Sequence, residues 1–342
     1  MFSPSATHSA TPSGRVIVLA PGAIPTTDYY VRPRLSAIPG IQPEYLDSLS
    51  ERPEHHERSL NTGVFVIVVR WSPVGWLRLL ERHAERLSGV ALLLDDDVGQ
   101  AWKSRDLPTR YAARTSARFW LMRQQMSQVC DRLWVSTPAL RSLYPGPRTR
   151  IMEPLCFDTE FPAPSATRTW SYHGSASHRR EIAWLKPLVK RLHRHHADYG
   201  FEIFGKTGVR KLFADIPGVT VQDPMPWPAY LEYSRTVARS VGLAPLLDSQ
   251  FNRARSFVKV FDITRCGAVG IYSDTPPFRG NITHGREGLL LPNDPLEWAK
   301  AVESLMSDPA RRRVMHQAAV AWCRARSRDP EFRRELGHGN SG

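Results

Sequence analysis

The 342-residue chain reads as an α/β protein of two doubly wound domains facing each other across a cleft. Short, continuously apolar runs alternate with longer helical patterns, which is how parallel sheets covered on both faces are written. The rhythm breaks once, at "FDTEFPAPSATR" (157–168), a Pro- and Ser-containing stretch without periodicity. The length accommodates two cores of roughly 150 residues each.

Residues 1–14, "MFSPSATHSATPSG", are polar with no apolar stretch and are read as a disordered tail rather than a secretory signal. The first domain, 15–156, contains strands at "RVIVLA" (15–20), "VFVIVV" (64–69), "VALLLD" (90–95) and "RLWVST" (132–137), with a helical pattern over 117–132 before the last. After the linker at 157–168, a second domain over 169–325 repeats the scheme. Its strands are "TWSYHG" (169–174), "FEIFG" (201–205), "VTVQD" (219–223), "SVGLAPL" (240–246), "AVGIYSD" (268–274) and "GLLLP" (288–292). Helical patterns cover 180–199 and 294–325, and 326–342 forms a terminal helix or tail.

Composition narrows the function. A hydrophobic fraction of 42% with 23% charged residues describes a globular protein, and no apolar run approaches the roughly 18 residues that span a bilayer. The four cysteines are scattered without a C-x-x-C pair, so reduced thiols and a cytoplasmic location are the simple reading. The net charge of +13 is uneven, +3 over residues 1–160 and +10 beyond. Such a surplus suits polyphosphate ligands or anionic lipid; no nucleic-acid-binding pattern accompanies it.

Ligands of doubly wound sheets bind beyond the C-terminal strand ends. There the second domain presents Gly174, Ser175 and His178 after its first strand, Lys206 after its second, and "DSQFNRARSFVKVFD" (248–262) after its fourth. Wound as a helix from about Arg255, that segment places Phe257, Val260 and Phe261 on one side and Arg255, Lys259 and Asp262 on the other. A diphosphate suits Ser256, Arg255 and Lys259 at a helix start, and a ribose diol suits a carboxylate such as Asp262. An amphipathic helix with a merely solvated charged face fits the same pattern. Neither "VLAPGAIP" nor "YHGSASH" is G-x-G-x-x-G, so a dinucleotide cofactor is not indicated.

In the order and content of these features, residues 168–325 resemble the donor-binding half of group 1 glycosyltransferases, whose fold is GT-B, two Rossmann-like domains facing across a cleft. "ALLLDDDVGQAW" and "CDRLWVSTPALRSLY" resemble their acceptor domain less closely. The resemblance implies transfer of a sugar from a nucleotide-diphosphate donor to a glycan or lipid-linked acceptor, with retention of configuration and without a metal or other cofactor. Asp262 takes the ribose carboxylate's place, while Lys259 and Arg255 fall where cations offset leaving-group charge. Members commonly carry a second Glu eight positions before that carboxylate. Here the position is Ala254, with Asn252 or Asp248 as substitutes, which unsettles the retaining outcome. Polysaccharide or glycoconjugate assembly, with peripheral contact at an anionic inner membrane face, fits the same reading.

Asp95, Asp96 and Asp97 end an apolar strand. One of them, Asp96, is placed as a catalytic group orienting an acceptor hydroxyl; capping or pairing with Arg110 or Arg114 explains the cluster equally well. A metal-dependent GT-A transferase using Asp95 and Asp97, and a non-catalytic nucleotide-sugar-binding protein, remain alternatives. His173, His178 and His284 sit in loops after strands, where a structural histidine is commoner than a catalytic one.

Overall fold

The computed structural model describes residues 2–104, 107–164, 166–174 and 178–337. Its first sheet is built from β1 (Arg15–Ala20), β2 (Gln42–Asp47), β3 (Val64–Val69), β4 (Leu87–Leu94), β5 (Arg132–Val135) and β6 (Thr149–Ile151), in the order β2-β1-β3-β4-β5-β6. The second contains β7 (Thr169–Tyr172), β8 (Gly200–Phe204), β9 (Val219–Gln222), β10 (Val241–Ala244), β11 (Val269–Ser273) and β12 (Gly288–Leu291), in the order β12-β11-β10-β7-β8-β9. Every pairing is parallel. Strand order reverses between β1 and β3 in one sheet and between β7 and β10 in the other, which fixes where each opens a crevice.

The ten strands expected from apolar runs all form, half of them a residue or two shorter. The two not anticipated are edge strands. β2, "QPEYLD", is half-exposed and contains a proline, and β6 has three residues; edges need neither an apolar run nor a full set of ladder donors.

The central strands are buried on both faces. Ile17, Leu19, Val66, Val68, Leu92 and Leu94 form a core within the first domain. Their alternating neighbours, Val16, Val18, Phe65, Ile67, Leu93 and Trp134, join Phe257, Val260, Phe261 and Trp322 of the second domain in one continuous apolar cluster. The two domains therefore share a core on one side of the cleft. A terminal helix, Phe332–Glu335, returns to the first domain, where Phe332 meets Trp134 edge-on at 5.3 Å and the Trp134 indole donates to Glu335 at 2.9 Å.

Two expectations change. Residues 2–14 are coil but not free: Phe2 is buried in the first-domain core, and the Ser5 and Ser13 amides donate to the Ser127 and Gly63 carbonyls. One aromatic residue and a few backbone bonds suffice to fasten a polar segment. The helix expected from about Arg255 is two pieces, Gln250–Arg253, capped by the Ser249 hydroxyl, and Val258–Arg265. Arg255 and Ser256 lie in the turn between them.

Candidate functional site

The C-terminal strand ends of both sheets converge on a cleft of about 540 Å³. From the first domain come residues 23–26 after β1, Arg70 after β3, and Asp95 and Asp96 after β4. The second contributes Tyr172, His173 and Gly174 around the end of β7, Phe204 at the end of β8, Pro224 and Met225 after β9, and Ala244–Leu246 at β10. Arg255, Ser256, Val258, Lys259 and Asp262 line it from the segment leading into the Val258–Arg265 helix. That helix has no side-chain cap at its N-terminus; of its first N–H groups, that of Val260 donates to the Phe257 carbonyl at 2.9 Å.

Lys259 faces the cleft half-exposed. Its ammonium donates to the His173 carbonyl at 2.6 Å and to Asp262 at 3.0 Å, two of its three donors. Arg255 donates to His178 Nε2 at 2.8 Å and lies over the Phe251 ring. Burial, with Arg255 and Lys259 nearby, pushes the His178 pKa well below its ordinary value, so the ring is neutral and accepts that bond. Gly174 is required by Tyr172, because a Cβ there would lie 2.3 Å from the Tyr172 ring.

Asp262 is buried and held from three sides. Besides Lys259 it accepts from the Tyr29 hydroxyl at 2.5 Å and from Arg265 at 3.0 Å. Burial alone would raise its pKa, but Lys259 and Arg265 bring it down to about 2. Arg265, fully buried, also donates to Asp158 at 2.8 Å and to Tyr29 at 2.8 Å. The carboxylate expected to receive ribose hydroxyls thus holds a cation on each side and a tyrosine of the opposite domain. It has a structural role whatever the cleft binds.

The first domain reaches across at other points. A single π-helical turn, Thr27–Val31, presents Tyr29 and Tyr30, and the Tyr30 hydroxyl donates to Ser256 at 2.7 Å. Trp227 donates to Asp28 at 2.8 Å, and Thr137 to the Ala254 carbonyl at 2.9 Å. Ala254 is buried in the first-domain core, so the position eight residues before Asp262 is closed by packing. Asn252 does not substitute for it: buried, it donates to Glu181 and to the Leu247 carbonyl, both at 2.8 Å. Asp248 is exposed and bonded bidentately to Arg253, and Lys206 is exposed at the start of the Thr207–Phe213 helix; neither lines the cleft. Ser175 lies outside the described residues.

The aspartate cluster splits three ways. Asp95 receives Arg70 bidentately at 2.6 and 2.7 Å and Thr26 at 2.6 Å. Asp97 is buried away from the cleft, accepting from Tyr144 at 2.8 Å. Asp96 remains at the cleft between Arg70 and Arg255; burial raises its pKa, Arg255 opposes, and Asp95 adds to the rise. Arg70 adopts φ 65°, left-handed for a non-glycine residue, at the centre of a turn closed by the Trp71 amide on the Val69 carbonyl. Such a conformation costs of order 1 kcal/mol or more, and the bidentate ion pair holds it. Position immediately after a strand was the available sequence signal for Arg70. Nothing in sequence marked Tyr29, Tyr30 or Arg265.

An apolar recess opens beside the cations, lined by Phe204, Met225, Trp227 and Tyr230. Beneath it His173 is held by Glu202 at 2.9 Å, with Arg239 and the Tyr233 hydroxyl on the same carboxylate. Burial would raise the Glu202 pKa, but its bonds to His173, Arg239 and Tyr233 lower it to about 2. His173 is therefore a supporting residue whose carbonyl orients Lys259.

No protein-family profile matches the sequence, and no curated protein matches it. Among solved structures, TarM of S. aureus in complex with UDP is similar with a TM-score of 0.60 at 9% identity, over 83% of this chain and 57% of that one. The fold is GT-B. Sucrose-phosphate synthase of Thermosynechococcus elongatus is similar at 0.59 and 12% identity, over 94% and 97% of the two chains. A glycosyltransferase of Rickettsia africae is similar at 0.59 and 9%, over 95% and 99%. The chain spans little more than half of TarM. Two parallel sheets meeting across a cleft overturn the GT-A alternative, and the commitments of Asp95 and Asp97 to Arg70 and Tyr144 explain that acidic run without it.

Two outcomes test this account of the buried charges. Asp262→Ala should lower the stability of the unliganded protein by about 3–5 kcal/mol in urea unfolding, because Arg265 loses a buried partner; a residue kept only for a ligand would leave it unchanged. Glu202 and Asp262 both have depressed folded-state pKa values. Their stabilisation is complete above the ordinary carboxylate range near pH 4 and is lost as pH falls towards 2. Melting temperatures should fall steeply over that window, and Glu202→Gln should flatten the fall.

Proposed function

We propose that the protein is a glycosyltransferase that moves a sugar from a nucleotide diphosphate to a glycan or other glycoconjugate acceptor, in polysaccharide or glycoconjugate assembly in the cytoplasm. The observation that carries this is the meeting, at the switch point of the second sheet, of an uncapped helix start with Arg255 and Lys259 beside an apolar recess. A nucleoside diphosphate has the matching halves: a flat base for the recess of Phe204, Met225, Trp227 and Tyr230, and two phosphates for the cations.

The residues divide the chemistry between them. When the bond between the anomeric carbon and the phosphate oxygen breaks, its electron pair stays with the diphosphate. Lys259, with one donor unspent, and Arg255 lie where this charge grows and stabilise it more than the ground state. Asp96, on the opposite wall, accepts a hydrogen bond from the acceptor hydroxyl and orients it. In this reading no resident metal takes part and configuration is retained, the proton of the attacking hydroxyl passing to the departing phosphate oxygen. An inverted product, read from the anomeric coupling in its NMR spectrum, would give that proton to Asp96 instead.

Thermal unfolding with UDP, GDP, dTDP and ADP, each with and without EDTA, tests the binding half. One nucleotide at about 100 times its dissociation constant should add about 2.7 kcal/mol. A shift abolished by EDTA would overturn the metal-free reading, and no shift with any of the four would favour a non-catalytic protein. Lys259→Ala should reduce kcat about 10²–10³-fold with little change in melting temperature, since Asp262 keeps Tyr29 and Arg265. Turnover like that of the wild type would remove Lys259 from the chemistry.

A further inference from the structure

The helix Thr109–Val129 buries Ser116, Phe119, Met126 and Val129, and Ala112 in a small cluster with Phe251 of the second domain, and turns its other side to solvent. That outer side is unlike an ordinary solvated face. Leu121 stands 81% exposed near its middle, Trp120 is 45% and Tyr111 51% exposed, and Trp102, from the turn packed against the helix, is 58% exposed. On that outer side Arg110 and Arg114 are exposed, Arg118 at its edge lies over the Trp71 ring, and the whole helix has not one Asp or Glu. The apolar groups are fixed in place. The Trp120 indole donates to the Gly99 carbonyl at 2.8 Å, Ser116 receives the Trp102 amide at 2.9 Å, and Arg123 lies over the Trp120 ring at 4.6 Å.

We propose that this face docks the protein on an anionic lipid bilayer. Exposed tryptophan and leucine beside exposed arginine matches the headgroup–acyl boundary, which offers apolar depth and phosphate charge together. Self-association through the same face would set its outward arginines against their own copies, and like charges directly opposed are repelled. No helix among the described residues is long and apolar enough to cross a membrane, so docking is peripheral. The face also has a direction. Tyr111 and Leu107, at its N-terminal end, line the cleft, so a docked protein holds the cleft mouth towards the membrane. The corollary that the acceptor is lipid-linked rests on the transferase reading; the docking itself does not.

Co-sedimentation of the full chain with vesicles tests it, without nucleotide or acceptor. Binding is expected to phosphatidylcholine vesicles containing 30% phosphatidylglycerol, with much weaker binding to pure phosphatidylcholine and a decline between 0.05 and 0.5 M salt. Tryptophan emission should shift to the blue on binding, and Trp102→Phe should diminish that shift. The double variant Arg114→Glu/Leu121→Glu, at two exposed positions, should keep the wild-type melting temperature and lose at least about tenfold in partitioning. Absence of binding to the anionic vesicles, or unchanged partitioning of the folded double variant, overturns the proposal. So does concentration-dependent dimerisation abolished by the same variant without vesicle binding, which would assign the face to a second copy. Vesicle binding with no nucleotide shift would uphold the docking face while refuting the transferase reading.

Discussion

Arg265 is a guanidinium with no access to water, and the arrangement around it joins the parts of this molecule. A buried cation is tolerated only when its charge is paired and its donors are used. Here Asp262 belongs to its own helix, Asp158 to the segment between the domains and Tyr29 to the first domain. Removing any one leaves charge or polar groups stranded in the shared core. The same Asp262 reaches Lys259 one turn back, so the interaction that ties the domains together also aims the cleft's lysine. Stability and function are linked at this carboxylate because it is shared between them.

The architecture was legible because it is written in runs. A doubly buried strand must be apolar at every position, and such runs stand out against the helices between them. Edge strands escape that rule, which is why β2 and β6 were not anticipated. The candidate site was legible only to the level of its segment. Position after a strand marked the region of Arg255–Asp262, but the partner of each charge is decided by the other domain. Tyr29 and Arg265 lie 236 residues apart, and no local pattern pairs them. Asn252 and Asp248 show the converse: each had the right chemistry at the right distance along the chain, yet one turns inward to Glu181 and the other outward to Arg253.

Ala254 gains its meaning from the same comparison. A carboxylate there would be driven into the first-domain core where Thr137 now meets the Ala254 carbonyl. The small residue is what permits the close approach, and a continuous apolar cluster then replaces the open wall a charged side chain would need. The cleft draws its polar groups from elsewhere, from Arg70 and Asp96 of the first domain and from Arg255 and Lys259 of the second.

Electrostatics then separates the groups that hold the cleft from those left to act in it. Asp95 and Arg70 hold one another in a bidentate pair, and Asp262 is held by Tyr29, Arg265 and Lys259. Arg255, Lys259 and Asp96 line the cavity with bonding capacity to spare. Two cations lie on the second-domain wall and one carboxylate on the opposite wall, the polarity required when negative charge accumulates on one substrate while a hydroxyl of the other is oriented. Because the pairs at the base of each wall are buried, salt screens them little. The working charges are therefore held in position by bonds that the solvent cannot readily loosen, whereas the arginines of the outer helix face remain fully subject to ionic strength.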